Sequence, residues 1–254
     1  MRRGSWKVRI LIGLAIVAFA FIQRCNNKEE NPYTGRVQNI NMTADQEIAI
    51  GLQSAPEMAQ QHGGLYPDQR LQAFVDLVGK KLVDNSIARE TPYKYEFHLL
   101  ADDQTINAFA LPGGQIFITY ALFSQLNEAQ LAGVLGHEIG HVIGRHSAER
   151  IADSQFWKTV SMGASVGADA GSIVGSIGLY TLLKNGRGDE LESDDLGVLF
   201  LLRSGYDPNE MIQVMKILKA AAGPNRVPEF QSTHPDPENR IQKIKESIRK
   251  YKGQ

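Results

Sequence analysis

The sequence predicts an α+β domain, mostly helical around a small sheet. Three observations carry this: helical apolar spacing before residue 85, β-rich segments confined to 93–119, and helical spacing again from 127 onward. The 254 residues are 43% hydrophobic and 22% charged, which is enough apolar material to bury a core. One cysteine, Cys25, excludes a disulfide scaffold. A net charge of −1 gives no bulk attraction to nucleic acid, and none is expected as a partner.

From the front, residues 10–22 form an unbroken run of 13 apolar residues. Arg2, Arg3, Lys7, Arg9 and Arg24 flank it with no acid among them, and the rest of the chain is net acidic. A basic segment before an apolar run is the order of an export signal. The positive flank keeps that end cytoplasmic and sends the downstream chain across the membrane. Residues 1–25 are therefore expected to be a signal peptide or an N-terminal membrane anchor, with the remainder periplasmic or otherwise outside the cytoplasm of a bacterium. Cys25 stands where a lipoprotein cysteine would stand, although Ile22-Gln23-Arg24-Cys25 is not a small-residue lipobox. Residues 26–40 are polar, carry Pro32 and Gly35, and read as a linker. That leaves 41–254 as the folded domain.

Thr43 with Gln46 forms a capping box that opens a helix to about 61, ended by Gly63-Gly64. Leu71, Phe74, Val75, Val78 and Leu82 follow helical spacing over 68–84. Strands are expected at 93–100, 106–111 and 115–119, the last two separated by Pro112-Gly113-Gly114. Asn127 caps a long helix running to about Arg145 or beyond, and helices also fit 208–221 and 236–251. Gly163, Gly167, Gly171 and Gly175 recur every four residues, giving a small-residue helix face suited to close packing. Either a mobile cover or a buried helix fits that face.

The chemistry lies in His137-Glu138-Ile139-Gly140-His141, inside the long helix. Residues four apart stack one turn apart, so both imidazoles point the same way and can hold one Zn²⁺ at about 2.0–2.1 Å. Glu138 lies roughly 100° around the axis. From there it reaches a water on the metal, whose pKa zinc lowers to about 7, and serves as general base in peptide hydrolysis. Gly133, Gly136, Gly140 and Gly144 cost helix stability, up to about 1 kcal/mol each, and imply close approach by other backbone or by substrate.

A third protein ligand is needed. One metallopeptidase class places a His six residues after the second one, but here that position is Ser147. His146 comes one residue early, and on a continuing helix it would lie about 140° away from His141, so a structural role is expected for it. The other source is a carboxylate on a separate helix. Glu190-Leu191-Glu192-Ser193-Asp194 offers Glu190 and Asp194 on one face, with Glu192 pointing away. Glu190 is the candidate ligand, and Asp194 could accept a hydrogen bond from a ligand histidine and fix its tautomer.

These residues resemble, position by position, the HExxH and ExxxD helices of the zinc metallopeptidase family that contains HtpX, the CAAX prenyl protease, BepA, LoiP and the mitochondrial Oma-type enzyme. Asn107-Ala108-Phe109-Ala110-Leu111-Pro112-Gly113-Gly114 and Ile116-Phe117-Ile118-Thr119 resemble the family's edge strand and the strand after it. Ser232-Thr233-His234-Pro235 with Arg240 resembles its C-terminal motif. The likeness covers roughly 40–250. Ser193 stands where the family usually has Ala, and an end at Gln254 favours its compact branch, without a tetratricopeptide array.

The resemblance implies a zincin-like fold whose edge strand lines the active-site cleft, one Zn²⁺ per chain on His137, His141 and Glu190, and Asp194 behind them. It implies that Asn107, Ala108, Phe109 and Ala110 pair with an extended polypeptide substrate. It also puts His234 near the zinc, to stabilise the oxyanion or to occupy the open metal position at rest, with Arg240 as a second electrostatic stabiliser. The expected activity is endopeptidase action on unfolded or misassembled membrane and envelope proteins. The alternative is a chaperone-like envelope assembly factor with a latent, His-capped zinc site. The residues carry no signal for oligomeric state.

Overall fold

Side-chain caps at Thr43, Asp68 and Asn127 place three helix starts close to where the sequence puts them. The computed structural model describes residues 6–168, 186–221, 230, 233–234 and 239–253. It divides the chain into two compact units, Met1–Met42 with Ala148–Leu182, and Thr43–Ser147 with Leu183–Gln254.

In the first unit, α1 (Trp6–Asn26) is the one helix among the described residues long and apolar enough to cross a membrane. Leu11, Leu14, Phe19 and Ile22 are exposed along it. The expected linker is instead partly ordered as a hairpin, with β1 (Lys28–Glu30) antiparallel to β2 (Val37–Asn39). Asn31 explains the departure: its side-chain Oδ1 accepts from the Tyr33 and Thr34 amides at 2.9 and 3.2 Å, turning the polar segment back on itself. Helix α6 (His146–Ala168) enters this unit from residue 148 and runs antiparallel to α1. Asp153 pairs with Arg24, and Phe156 meets Phe21 edge-on at 5.1 Å. A Cβ on Gly163 would lie 2.8 Å from the Gly13 oxygen, so part of the small-residue face serves close packing on α1. Gly171 and Gly175 lie outside the described residues.

The second unit holds α2 (Ala44–Gln61), α3 (Gln69–Asp84), α4 (Tyr120–Phe123), α5 (Glu128–Ile143), α7 (Arg187–Arg203), α8 (Glu210–Ala221) and α9 (Arg240–Lys252). Capping boxes at Thr43/Gln46 and Asn127/Gln130 open α2 and α5. The sheet runs β3 (Glu96–Leu100), β5 (Gln115–Thr119), β4 (Ala108–Ala110) in spatial order. β3 pairs with β5 in parallel, and β4 pairs antiparallel, with Ala108 opposite Ile118 and Phe109 opposite Phe117. β4 is therefore an edge strand. The turn between β4 and β5 uses Gly113 and Gly114 at φ 79° and 110°. A Cβ on Gly113 would sit 2.4 Å from the Ile48 Cα, so α2 clamps that turn directly.

Element bounds shift as well. β3 begins at Glu96 rather than 93, β4 covers Ala108–Ala110 of the expected 106–111, and the long helix ends at Ile143 rather than running through Arg145. The break is made by Arg145, which takes φ 54°, the left-handed region that L residues avoid.

Candidate metal centre

Helix α5 is the frame of the site. One face buries Leu131, Leu135, Ile139 and Val142 in the core, and its glycines admit α7. A Cβ on Gly140 would lie 2.9 Å from the Ser193 Cα, closer than any side chain tolerates. That contact seats the first two turns of α7, and hence Glu190 and Asp194, against the histidine face. Of the four glycines read as sites of close approach, Gly140 is required most plainly. A Cβ on Gly136 would meet the Gly197 Cα at 3.6 Å, which is ordinary contact.

His137 and His141 face each other with their Nε2 atoms 3.0 Å apart. Glu190 sits beside both, 3.4 Å from His137 Nε2 and 3.3 Å from His141 Nε2. His234 joins them, its Nδ1 3.0 Å from Glu190 Oε1 and 3.3 Å from His137 Nε2. One donor atom from each of these four buried side chains lies within 4.8 Å of the others. A tetrahedral Zn²⁺ with bonds of about 2.0–2.1 Å needs donors about 3.3 Å apart, so the spacing fits that ion.

The protons agree with this fit. Asp194 Oδ1 lies 2.9 Å from His137 Nδ1 and, as an ionised carboxylate, accepts its hydrogen, leaving a lone pair on Nε2. Arg240 holds Asp194 with two hydrogen bonds, at 2.6 and 3.0 Å, and reaches Glu190 at 3.0 Å through Nη1. Two ring nitrogens facing each other at 3.0 Å need a metal cation or a proton between them. In the metal-free protein a proton can fill that need. Burial alone lowers the His137 pKa, but hydrogen bonds to Asp194 and Glu190 outweigh it and raise it to about 9. Burial drives His141 well below its usual value despite Glu190. Asp194 and Glu190 are held low: burial opposes ionisation, but the Arg240 charge, joined at Glu190 by His234, prevails.

Glu138 is wholly buried, and neither of its oxygens has a hydrogen-bond partner among the described residues. His234 Nε2 is 3.7 Å away, and burial pushes the carboxyl pKa up. A buried carboxylate left open in this way is suited to engage a water or substrate group delivered beside it.

The edge strand meets the same place. Phe109 turns into the core, stacked on Phe117 at 4.9 Å, so β4 offers backbone to the site rather than that ring. Asn107 is buried at its start, its carbonyl accepting from the Thr119 amide at 3.0 Å. The outer side of the strand is met by the chain itself. His234 Nε2 lies 3.3 Å from the Ala108 carbonyl, and the Phe230 amide donates to the Ile106 carbonyl at 3.2 Å. Phe230 stacks on the His234 ring at 4.3 Å. His137, Glu138, His141, Glu190, Asp194, His234, Arg240 and β4 thus converge.

Sequence reasoning missed His146. Because the helix breaks, its ring swings back to 2.8 Å from His141 Nδ1, and Glu192, expected to point away, lies 2.8 Å from its other nitrogen. The available signal was Gly144. A Cβ there would sit 2.4 Å from the His146 ring, so a glycine two residues before that histidine is what makes room for it.

Residues 69–248 match peptidase family M48. The beta-barrel assembly-enhancing protease of Yersinia pestis is 33% identical over 225 residues, covering 83% of this chain and 45% of that protein. The protein of the same name from Escherichia coli K12 is 34% identical over 194 residues, 70% of this chain and 39% of the relative. The mitochondrial metalloendopeptidase OMA1 of Schizosaccharomyces pombe is 29% identical over 241 residues, 91% and 70% respectively. The chain spans less than half the length of the two bacterial relatives.

Proposed function

The chain belongs to peptidase family M48, and from that premise we propose that it is a zinc-dependent endopeptidase of the bacterial envelope, held at the membrane or exported by α1. His137, His141 and Glu190 would hold one Zn²⁺ per chain. When bound, the ion supplies Lewis acidity, acidifying water and polarising the scissile carbonyl.

The remaining roles belong to the chain's own groups. Glu138 takes the proton of the attacking water and returns it to the leaving amine. Its burial raises its proton affinity and so strengthens it as a base. Asp194 keeps the His137 hydrogen on Nδ1. His234 donates to the developing oxyanion, and the buried guanidinium of Arg240 adds positive potential from behind the carboxylates. An extended substrate pairs with β4 through the Ile106 and Ala108 carbonyls, which Phe230 and His234 meet at rest. Substrate pairing therefore has to replace the Phe230 amide at Ile106 and the His234 ring at Ala108, which frees His234 Nε2 for the oxyanion. A site that reads backbone more than side chains suits unfolded or misassembled envelope proteins, and the bacterial relatives are named for enhancing beta-barrel assembly.

The observation that carries this reading is the wholly buried Glu138 carboxylate, open beside four converging ligand-type side chains. Zinc content and casein cleavage by the purified chain test it. Glu138→Gln should keep the metal and lose about 100- to 10,000-fold in cleavage rate. Full activity in that variant, or no metal in the parent, overturns it.

The contacts of His234 with Glu190 and Ala108 favour a second reading, a chaperone-like assembly factor whose zinc site is latent beneath that ring. An in vivo role that survives Glu138→Gln would select it. His234→Ala separates the histidine's two roles: cleavage rises if the ring is a cap and falls if it is an oxyanion donor.

A further inference from the structure

His146 takes no part in the chemistry above, yet it lies directly behind His141. Its ring is wholly buried, with Nδ1 2.8 Å from His141 Nδ1 and Nε2 2.8 Å from Glu192 Oε2. Asp189 stands 3.8 Å from the same Nε2, and the Ser193 hydroxyl 3.5 Å from Nδ1.

The hydrogens follow from what each group can do. An ionised carboxylate only accepts, so the His146 hydrogen sits on Nε2, facing Glu192. A neutral ring protonated there has its lone pair on Nδ1. His141 must therefore donate from its own Nδ1, and its Nε2 keeps a lone pair on the side where His137 and Glu190 converge. A metal-binding imidazole needs that tautomer and that ring angle.

The backbone is shaped to make this contact. Arg145 turns the corner at φ 54° and is held there by Glu47, which accepts from its Nε at 2.8 Å and pairs with its Nη2 at 2.7 Å. Tyr93 donates to the same carboxylate at 3.2 Å. Gly144 leaves the space that the His146 ring fills.

We propose that His146, braced by Glu192, is a positioning residue that fixes the tautomer and orientation of His141, so that the second imidazole reaches the metal through a carboxylate–imidazole–imidazole chain. This rests on the reading of His137, His141 and Glu190 as the zinc site.

The test compares zinc affinity, by competition with a chelator, in the full chain and in His146→Leu, His146→Asn, Glu192→Ala and His137→Ala. It also records the absorption bands of the cobalt-loaded forms and the unfolding midpoints of the metal-free forms. His146→Leu should bind zinc about 10- to 100-fold more weakly, with shifted cobalt bands. His146→Asn, which keeps an oxygen acceptor near the Nδ1 position, should recover most of that loss, and Glu192→Ala should weaken binding by a smaller factor. A purely structural role would lower the midpoint and leave zinc affinity within about two-fold, which overturns the proposal. If His146→Leu fails to fold, unchanged affinity in Glu192→Ala overturns it instead. A parent that binds no zinc, or that binds it no better than His137→Ala, overturns the metal-site reading and this proposal together. A parent that binds zinc while the His146 and Glu192 variants bind equally well removes only the positioning role.

Discussion

His137 and His141 present the same nitrogen to the same point, but the groups standing behind them differ. Behind His137 lies a dense, dry charge cluster, in which Asp194 and Arg240 are both nearly inaccessible. Behind His141 lies the His146 ring, then Glu192, whose side chain keeps 18% of its surface in water. The comparison teaches that a helical repeat fixes the front of a ligand pair and leaves the rear of each imidazole to tertiary structure. The two solutions should fail differently. One couples ligand geometry to the stability of the fold, and the other does so much less.

The largest expected effect follows from the charge cluster. Arg240→Ala strands Asp194 and Glu190 as buried anions, which should cost the metal-free protein about 3–5 kcal/mol in a denaturant titration. Zinc should restore part of this by neutralising Glu190. A loss under about 1 kcal/mol would mean that the cluster is not the dry ion network that its burial describes.

Asp194→Asn comes next. It should weaken zinc binding about 10- to 100-fold and exceed the effect of Glu192→Ala in the same chelator competition. The reverse order would break the comparison. Gly140→Ala should then destabilise by about 1–3 kcal/mol, because the new methyl meets the Ser193 backbone, and should loosen both imidazoles together.

The last prediction separates the two rings by their protons. With His137 raised to about 9 and His141 held low, the metal-free pair should carry one proton beyond those of two neutral rings at pH 7. Zinc uptake near pH 7 should release that proton, detectable by calorimetry in buffers of different ionisation enthalpy. Affinity should rise about ten-fold per pH unit up to about 9. The sign for folding is opposite. A histidine whose pKa is raised on folding stabilises the metal-free protein fully below about 6.5, and that contribution is lost as pH climbs through about 9.

Much of this was legible from residues alone. Thr43/Gln46 and Asn127 announce helix starts because capping is local, and the stacking of His137 over His141 is fixed by the helical pitch. Glu190 and Asp194 were candidates on spacing and on the need for a third ligand, but only the resemblance made that pairing specific, because nothing local says that two distant helices touch. Gly140 hinted at the contact without naming its partner. The hairpin at 28–39 hid because its turn is organised by one side chain, Asn31, within a stretch that looks like any polar connector. His146 was misplaced for a simple geometric reason. The 140° offset holds only on an unbroken helix, and one residue with positive φ, clamped by a glutamate nearly a hundred positions earlier, cancels it.

That corner makes chain length between Ile143 and His146 as stringent as any letter of the metal-binding pattern. Removing or adding one residue there would leave His137, Glu138 and His141 spelled correctly while swinging the next imidazole out of reach. In the lineage of such proteins, indels at this bend should be purged even where the flanking side chains drift freely.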